Sequence, residues 1–358
     1  MPKFSMTTAD LQFLHRCIQL AELGGTKVIP NPKVGAVIVH NGTIIGEGFH
    51  PYSGGPHAEV VAVRDVTDPQ LLPDSTIYVS LEPCNHFGKT PPCVDLILEH
   101  KIPRVVVGCL DPNPKVAGKG IERLRTNGVE VELAEDVTPF TFLNRAFFVN
   151  QLYHRPYITL KWAQTADGFI AGKDEAGNGI PIKITDFPSD VLVHKLRASH
   201  QAILVGRKTA LSDDPSLTTR HYPGENPLRI VFDRNGRLPR TLKLFTDGNK
   251  TMILGAETTK AENVAYYSPP QWTNLSLLLE ELYSEKGICS ILVEGGREIL
   301  QQFIDQGVYD EIICFEGPDK IQEGIPAPKL PPDFSYDSIH FSGRDVVRKK
   351  YVRKYRLK

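Results

Sequence analysis

The chain has 358 residues, of which 41% are hydrophobic and 23% are charged, and its net charge at pH 7 is −1. This length predicts two domains, and the near-equal numbers of basic and acidic residues argue against a protein that grips nucleic acid through a basic face. No apolar run reaches the roughly 18 to 20 residues of a membrane helix, and the first residues lack the apolar stretch of a signal peptide. We therefore expect a globular, cytoplasmic protein with no membrane partner.

The first half of the chain alternates helical and strand patterns. Apolar residues at helical spacing predict a helix over 8–21, and Asn41-Gly42 between two apolar runs predicts a hairpin. Further helices are expected at 57–66, 92–100 and 120–127, and strands at 76–81, 104–108 and 129–133. Strands that alternate with helices indicate a layered α/β domain.

The pattern changes between 144 and 156. The polar segment 150–156 precedes a new strand at 157–163, so we predict two domains, 1–150 and 151–358. The second domain again alternates, with strands near 201–206, 228–233, 251–255, 288–293 and 310–315 and helices near 186–200, 273–286 and 297–307. The basic run 348–358 ends the sequence and predicts a terminal strand with a charged face.

Three pieces of the first domain combine the groups of a catalytic zinc site. His57 stands two residues before Glu59, Cys84 follows a predicted strand, and Cys93 opens a predicted helix. One imidazole and two thiolates leave the fourth position of zinc open, and zinc lowers the pKa of a water bound there. Glu59 can move protons without being a ligand, which is the His-x-Glu arrangement of zinc deaminases. The sequence therefore predicts one Zn²⁺ per protein molecule held by His57, Cys84 and Cys93, with Glu59 as the catalytic residue.

The spacing of the two cysteines is a feature that this sequence shares with a known protein family. Eight residues separate Cys84 from Cys93, whereas the simplest deaminase signature has two. The stretch from Glu82 to Cys93, EPCNHFGKTPPC, resembles the signature of bacterial bifunctional riboflavin biosynthesis proteins, which join a pyrimidine deaminase to a reductase. Other matching stretches are Asn31-Pro32-Lys33-Val34-Gly35, the run from His50 to Glu59, and Asp111-Pro112-Asn113-Pro114 with Ala117-Gly118.

The resemblance implies a cytidine-deaminase-like α/β/α fold for the first domain. This domain would remove an amino group hydrolytically from 2,5-diamino-6-ribosylamino-4(3H)-pyrimidinone 5′-phosphate. By the family's pattern its substrate pocket would be lined by Asn31, His50, His86, Lys89, Asp111 and Asn113. A cation at Lys89 suits a phosphate-bearing substrate. Packing is the alternative role for His86, and turn formation is the alternative for Asn31 and Asp111, which precede prolines.

The motifs of the second domain are less specific than those of the first. Val293-Glu294-Gly295-Gly296 closes a buried strand and opens a helix, whose N-terminus can take a phosphate. No Gly-x-Gly-x-x-Gly follows a strand, so the usual dinucleotide fingerprint is missing. The resemblance nonetheless implies a dihydrofolate-reductase-like α/β fold that uses NADPH. By the family's pattern Thr209, Asp213 and Gly296 would contact NADPH, and Arg197, Leu217, Arg220 and Glu294 would hold the ribosyl phosphate substrate.

Two segments of the second domain depart from the family. Lys183 stands where the family has a tryptophan, and Asp319 stands where it has a lysine. The expected function is deamination followed by NADPH-dependent reduction of the ribosyl group to a ribityl group. The alternatives are an active deaminase with an impaired reductase-like domain, a nucleic-acid deaminase with an added binding domain, and a non-catalytic module stabilised by zinc. Glu59 argues against the last, and the sequence leaves monomer and homodimer open.

Overall fold

The computed structural model describes residues 6–87, 91–113, 116–257 and 261–352. The protein divides into two compact units, the first up to Tyr153 (unit 1) and the second from His154 (unit 2). A helix at Arg145–Tyr153 crosses the boundary predicted from the sequence, so the division by compactness lies slightly later. The domain ranges 1–150 and 151–358 stay predictions.

Unit 1 is a sheet covered by helices on both faces. Its helices are α1 (Thr8–Glu22), α2 (Ala58–Asp65), α3 (Cys93–Glu99), α4 (Lys119–Thr126), α5 (Thr138–Leu143) and α6 (Arg145–Tyr153), with a 3₁₀ helix at Pro69–Asp74. Its strands are β1 (Gly35–His40), β2 (Thr43–Phe49), β3 (Thr76–Val79), β4 (Arg104–Val107) and β5 (Glu130–Leu133). The strand order is β2-β1-β3-β4-β5, with β1 antiparallel to both neighbours and β3, β4 and β5 parallel.

Alternate residues of β1 separate the two faces of this sheet. Ala36 and Ile38 pack with α2, α3 and α4 in one apolar core, whereas Val37 and Val39 pack with α1, α5 and α6 in another. This is the two-residue period of a strand that is buried on both sides. Helices α2 and α3, which begin at the predicted zinc ligands, therefore lie on the same face of the sheet.

Unit 2 is built on a larger, mostly parallel sheet. Its strands are β6 (Tyr157–Gln164), β7 (Phe169–Lys173), β8 (Gly179–Ile180), β9 (Ala202–Gly206), β10 (Leu228–Phe232), β11 (Thr251–Leu254), β12 (Val264–Tyr267), β13 (Ser290–Val293), β14 (Glu311–Glu316), β15 (Ile325–Pro326), β16 (Ser338–Ser342) and β17 (Asp345–Tyr351). Its helices are α7 (Phe187–Ala198), α8 (Arg207–Asp213), α9 (Lys243–Thr246), α10 (Leu275–Ser284) and α11 (Arg297–Asp305). The main sheet has the order β12-β11-β10-β9-β13-β6-β14-β17-β16, and β15, β7 and β8 form a small separate sheet.

The predicted elements of both halves are present with shifted ends, and several short ones were not predicted. The sequence did not predict the helices α5, α6, α8 and α9 or the strands β7, β8, β12, β15 and β16. Strand β17 takes up the start of the basic run 348–358, and residues 353–358 lie outside the described residues. In the part of the protein that the structure describes, the helices are too short or too polar to cross a membrane.

A buried ion pair joins β6 to β14 in unit 2. The Arg155 guanidinium donates to both carboxylate oxygens of Asp310, at 2.6 and 2.7 Å, and the Asp310 side chain has no solvent exposure. Asp310 also accepts the backbone N–H of Ile158 at 2.9 Å. One carboxylate thus fixes the first residues of β6 beside β14.

We expect Asp310→Ala to destabilise unit 2 by about 3 to 5 kcal/mol, because the buried Arg155 guanidinium loses a carboxylate that accepts two of its hydrogen bonds. Denaturant unfolding, followed by a probe in unit 2, measures the change. Glu298→Ala is the control, since the Glu298–Lys208 pair is about 70% exposed on both sides and such pairs contribute little. An equal shift in both variants would contradict the role given to the buried pair.

Candidate active sites

Three predicted zinc ligands lie together in unit 1. His57 immediately precedes α2, Cys84 lies in the loop after β3, and Cys93 is the first residue of α3. Their ligand atoms all lie within 4.8 Å of one another, with His57 Nδ1 3.2 Å from Cys93 Sγ and 3.5 Å from Cys84 Sγ. One imidazole and two thiols at this spacing are a donor set that fits zinc with an open fourth position.

The surroundings favour the thiolate that a metal needs. The backbone N–H of Cys93 donates to Cys84 Sγ at 3.2 Å. A hydrogen bond with Cys93, and then one with His57, lowers the pKa of the Cys84 thiol, whereas the same contact with Cys84 and burial raise the pKa of the Cys93 thiol. Of the two sulfurs, that of Cys84 is therefore the one whose surroundings favour the thiolate.

Glu59 lies in the first turn of α2, beside the three ligands. The residue is 3% exposed, and burial raises the pKa of its carboxyl to about 7. A carboxyl that gains and loses a proton near neutral pH suits general acid–base catalysis. Glu59 therefore lies as a buried carboxyl beside the three candidate ligands, and its role as the proton carrier stays a prediction.

Two predicted substrate residues, Asn31 and His50, pair beside the metal centre. Asn31 Nδ2 lies 3.0 Å from His50 Nε2, and His50 Nδ1 lies 2.8 Å from the backbone oxygen of Pro56. The His50 ring meets the His57 ring edge to face, with 5.7 Å between centroids. Burial lowers the pKa of His50, which favours the neutral form of its ring.

Two further predicted residues, Asp111 and Asn113, share a turn. Asp111 Oδ1 accepts the backbone N–H of Asn113 at 2.8 Å. Burial raises the pKa of Asp111, and the hydrogen bond from Asn113 acts to lower it. His86 is exposed. Lys89 lies outside the described residues.

Glu82 is a residue of this site to which the sequence analysis gave no role. Its buried carboxylate accepts backbone N–H groups of Asp111 at 3.3 Å, Gly118 at 2.9 Å and Gly120 at 3.0 Å. Glu82 therefore holds the loop that carries Asp111 and Asn113. Its place two residues before Cys84 was visible in the sequence, but its partners lie up to 38 residues away and no local pattern reveals them.

A cleft of about 1290 Å³ opens in unit 2. Four of the predicted residues line it, namely Thr209, Asp213, Glu294 and Gly296. The other three, Arg197, Leu217 and Arg220, are not among the lining residues in the described part of the protein. Arg197 reaches the cleft through Glu294, whose carboxylate accepts its guanidinium at 2.9 and 2.8 Å.

Lys161 on β6 is a lining residue that the sequence analysis did not assign. Its Nζ lies 3.6 Å from Glu294 Oε2, and both side chains are largely buried. Although burial acts to raise it, the charges of Arg197 and Lys161 lower the pKa of Glu294 to about 2. A lysine within a buried strand was the available signal, because an unpaired charge there is costly.

The glycine turn before α11 packs closely against α8. The Gly296 N–H donates to Thr209 Oγ1 at 2.7 Å, and a Cβ atom at Gly296 would lie 3.0 Å from the same oxygen. A Cβ atom at Gly295 would overlap the side chain of Ile299. The turn therefore needs small residues, and it keeps the floor of the cleft open. Lys183 is exposed and lines the cleft.

Comparison with known proteins finds a matching family model for each half of the chain. Residues 7–109 match the family model of the cytidine and deoxycytidylate deaminase zinc-binding region, and residues 156–321 match that of the RibD C-terminal domain. The protein is similar to the riboflavin biosynthesis protein RibD of Aquifex aeolicus, with 39% identity over 323 residues, 88% of this chain and 89% of that protein. It is also similar to RibD of Escherichia coli (strain K12), with 33% identity over 365 residues, 94% and 98% of the two sequences.

Solved structures agree with these matches. The structure of a diaminohydroxyphosphoribosylaminopyrimidine deaminase/5-amino-6-(5-phosphoribosylamino)uracil reductase of Thermotoga maritima is similar with a TM-score of 0.84 and 37% identity, over 95% of this chain and 98% of that protein. Acinetobacter baumannii RibD, form 1, is similar with a TM-score of 0.84 and 32% identity, over 95% and 98%. The predicted fold class is confirmed: a cytidine-deaminase-like first part and a dihydrofolate-reductase-like second part.

We expect one zinc per molecule in the wild-type protein and almost none in Cys93→Ala, because two ligands cannot hold the ion as three do. Metal analysis after dialysis measures both. Cys17→Ala is the matched control, since Cys17 is an equally buried cysteine of unit 1 on α1. Zinc that stays bound in Cys93→Ala, or leaves in Cys17→Ala, would count against the ligand assignment.

Proposed function

Since this protein belongs to the RibD family of bifunctional deaminase/reductases of riboflavin biosynthesis, we propose that domain 1–150 deaminates 2,5-diamino-6-ribosylamino-4(3H)-pyrimidinone 5′-phosphate and that domain 151–358 reduces its ribosyl group with NADPH. The observation that carries the first half is the buried Glu59 carboxyl beside the His57, Cys84 and Cys93 cluster. The prediction that a zinc deaminase is joined to an NADPH-dependent reductase is confirmed, because the two halves match the family models of a deaminase zinc-binding region and of the RibD C-terminal domain.

In the deaminase half, the residues divide the work of hydrolysis. His57, Cys84 and Cys93 would hold zinc, which would lower the pKa of the water whose oxygen forms a bond to the amine-bearing carbon as the C–N bond breaks. Glu59 takes a proton and returns it to the departing amine, which leaves as ammonia. The substrate would be held by the predicted pocket residues, Asn31, His50, His86, Lys89, Asp111 and Asn113. His50, neutral and fixed by Pro56, supports Asn31 in this role.

In the reductase half, the cleft of unit 2 would hold NADPH and the ribosyl phosphate together. NADPH would supply the hydride for a new C–H bond at the ribosyl carbon that carries the amine, where the ring C–O bond would break and the released oxygen would take a proton. Thr209, Asp213 and Gly296 would contact the cofactor, and Arg197, Leu217, Arg220 and Glu294 the substrate. Arg197 would act by orienting Glu294, which it grips through two hydrogen bonds, and Arg220 offers the forked donors that suit phosphate.

The proposal includes a cytoplasmic location and a free small-molecule substrate. The net charge of −1 offers little attraction for a polyanion, so nucleic acid is not proposed as a substrate. Ammonia release from the free pyrimidine, with none from single-stranded DNA or RNA, would support this choice. The homodimer that the sequence leaves open is tested by sedimentation of the full-length protein.

We expect Glu59→Gln to lower the rate of ammonia release by about a hundredfold or more, because the amide keeps the shape of the side chain but cannot accept a proton. Zinc should stay at one per molecule, since Glu59 is not among the ligands. Glu99→Gln, an exposed glutamate on α3, is the control and should deaminate normally. Ammonia release at the wild-type rate from Glu59→Gln would remove the proposed role.

We expect the full-length protein to bind NADPH more tightly than NADH, and Thr209→Val to weaken NADPH binding by about tenfold, because Gly296 N–H loses its acceptor and the turn loosens. Fluorescence titration measures the affinities. The same change at Thr246, an exposed threonine on α9 away from the residues that line the cleft, is the control. If the protein does not bind NADPH at millimolar concentration, the cofactor assignment is contradicted, whereas the proposal for the deaminase is unaffected.

A further inference from the structure

Asn144 joins two segments of unit 1 that lie 111 residues apart. The residue is 3% exposed and stands at the end of α5. Its Oδ1 accepts the backbone N–H of Lys33 at 2.8 Å, and its Nδ2 donates to the backbone carbonyl oxygen of Lys33 at 2.8 Å. Because each amide atom meets a backbone group of fixed polarity, the two bonds set the orientation of the Asn144 amide and the position of Lys33 together.

The segment around Lys33 needs a partner from outside itself. Residues 23–34 connect α1 to β1 and contain no helix or strand. The prolines on both sides of Asn31 have no N–H to donate. The first backbone donor after Asn31 is therefore the N–H of Lys33, and Asn144 takes it. One buried side chain thus fixes the backbone two residues from Asn31.

The same segment holds Asn31 against His50. His50 Nδ1 donates to the Pro56 carbonyl at 2.8 Å, so Nε2 is the acceptor and receives Asn31 Nδ2 at 3.0 Å. The Asn31 amide is oriented by this bond, and its Oδ1 is the acceptor that it offers to a ligand. An amide oxygen in that position suits the amino groups of a diaminopyrimidine.

We propose that Asn144 is a positioning residue of the deaminase: by clamping the backbone at Lys33, it holds Asn31 against His50 in the orientation that accepts an amino group of the substrate. The inference rests on the proposed role of Asn31 in substrate binding. Asn144 acts through Asn31 and touches none of the zinc ligands in the described contacts. Its loss should therefore weaken substrate binding while zinc stays bound.

The test uses the full-length protein with Asn144→Leu, which removes both bonds, and Asn144→Asp, which keeps the acceptor for the Lys33 N–H. We expect the KM of deamination to rise about tenfold in Asn144→Leu and less in Asn144→Asp. Zinc should stay at one per molecule, and NADPH oxidation with the deaminated compound should be unchanged. Calorimetric titration of the substrate in a Glu59→Gln background should give the same order of affinities without turnover. Asn127→Leu, an exposed helix-end asparagine of unit 1, is the matched control.

A double-mutant cycle with Asn31→Ala separates positioning from general destabilisation. In the Asn31→Ala background, Asn144→Leu should raise KM little further, because the two residues act along one path. An equal rise in both backgrounds, or an unchanged KM in Asn144→Leu, overturns the proposal. If Asn31→Ala binds and deaminates like the wild type, the role of Asn31 fails and the clamp fails with it, whereas Glu59→Gln still reports on deamination itself. Asn144→Asp carries the cycle if Asn144→Leu does not fold.

Discussion

The close approach of helix α2 to strand β2 is the contact on which the deaminase site depends. Gly46 and Gly48 face this helix, and a Cβ atom at either position would overlap its backbone. Any other residue would push α2 outward. Because His57 and Glu59 stand at the start of α2, the same shift would move the imidazole and the carboxyl away from the thiols of the loop after β3 and of α3. Glycine at these two positions of β2 therefore lets α2 lie close enough to the strand to hold His57 and Glu59 near the two thiols.

In unit 2, the contacts of Glu294 keep its carboxylate charged inside the cleft. Glu294 lies between Arg197 and Lys161, and its side chain is 7% exposed. The two cations keep this carboxylate charged, and a second carboxyl that lines the cleft, that of Asp190, acts on the charges of both cations. The paired carboxylate of Glu294 thereby stays in place as an acceptor for the hydroxyl groups of a ligand.

Much of the fold and of the metal centre was predictable, because both leave local signals. His57 and Cys93 are ligand types at the starts of helices, Cys84 is one in the loop after a strand, and the structure brings the three together. Helix α6 left a weaker signal, since its apolar residues run consecutively over 147–149 and do not repeat at helical spacing. The role of Glu82 was not predictable, because its backbone partners come from a loop far along the sequence and one sequence by itself holds no record of such pairings.

Lys183, which stands where the family has a tryptophan, adds a positive charge to the reductase cleft and removes one aromatic ring from it. The resemblance implies an aromatic face at this position, and Lys183 offers none. Trp272 and Phe232 nevertheless line the same cleft, so rings for stacking come from other elements. Lys183 is exposed, and solvent and salt screen an exposed charge strongly. Its attraction for a phosphorylated dinucleotide therefore acts on the rate of encounter more than on the stability of the complex, and the departure does not by itself argue against reduction in this cleft.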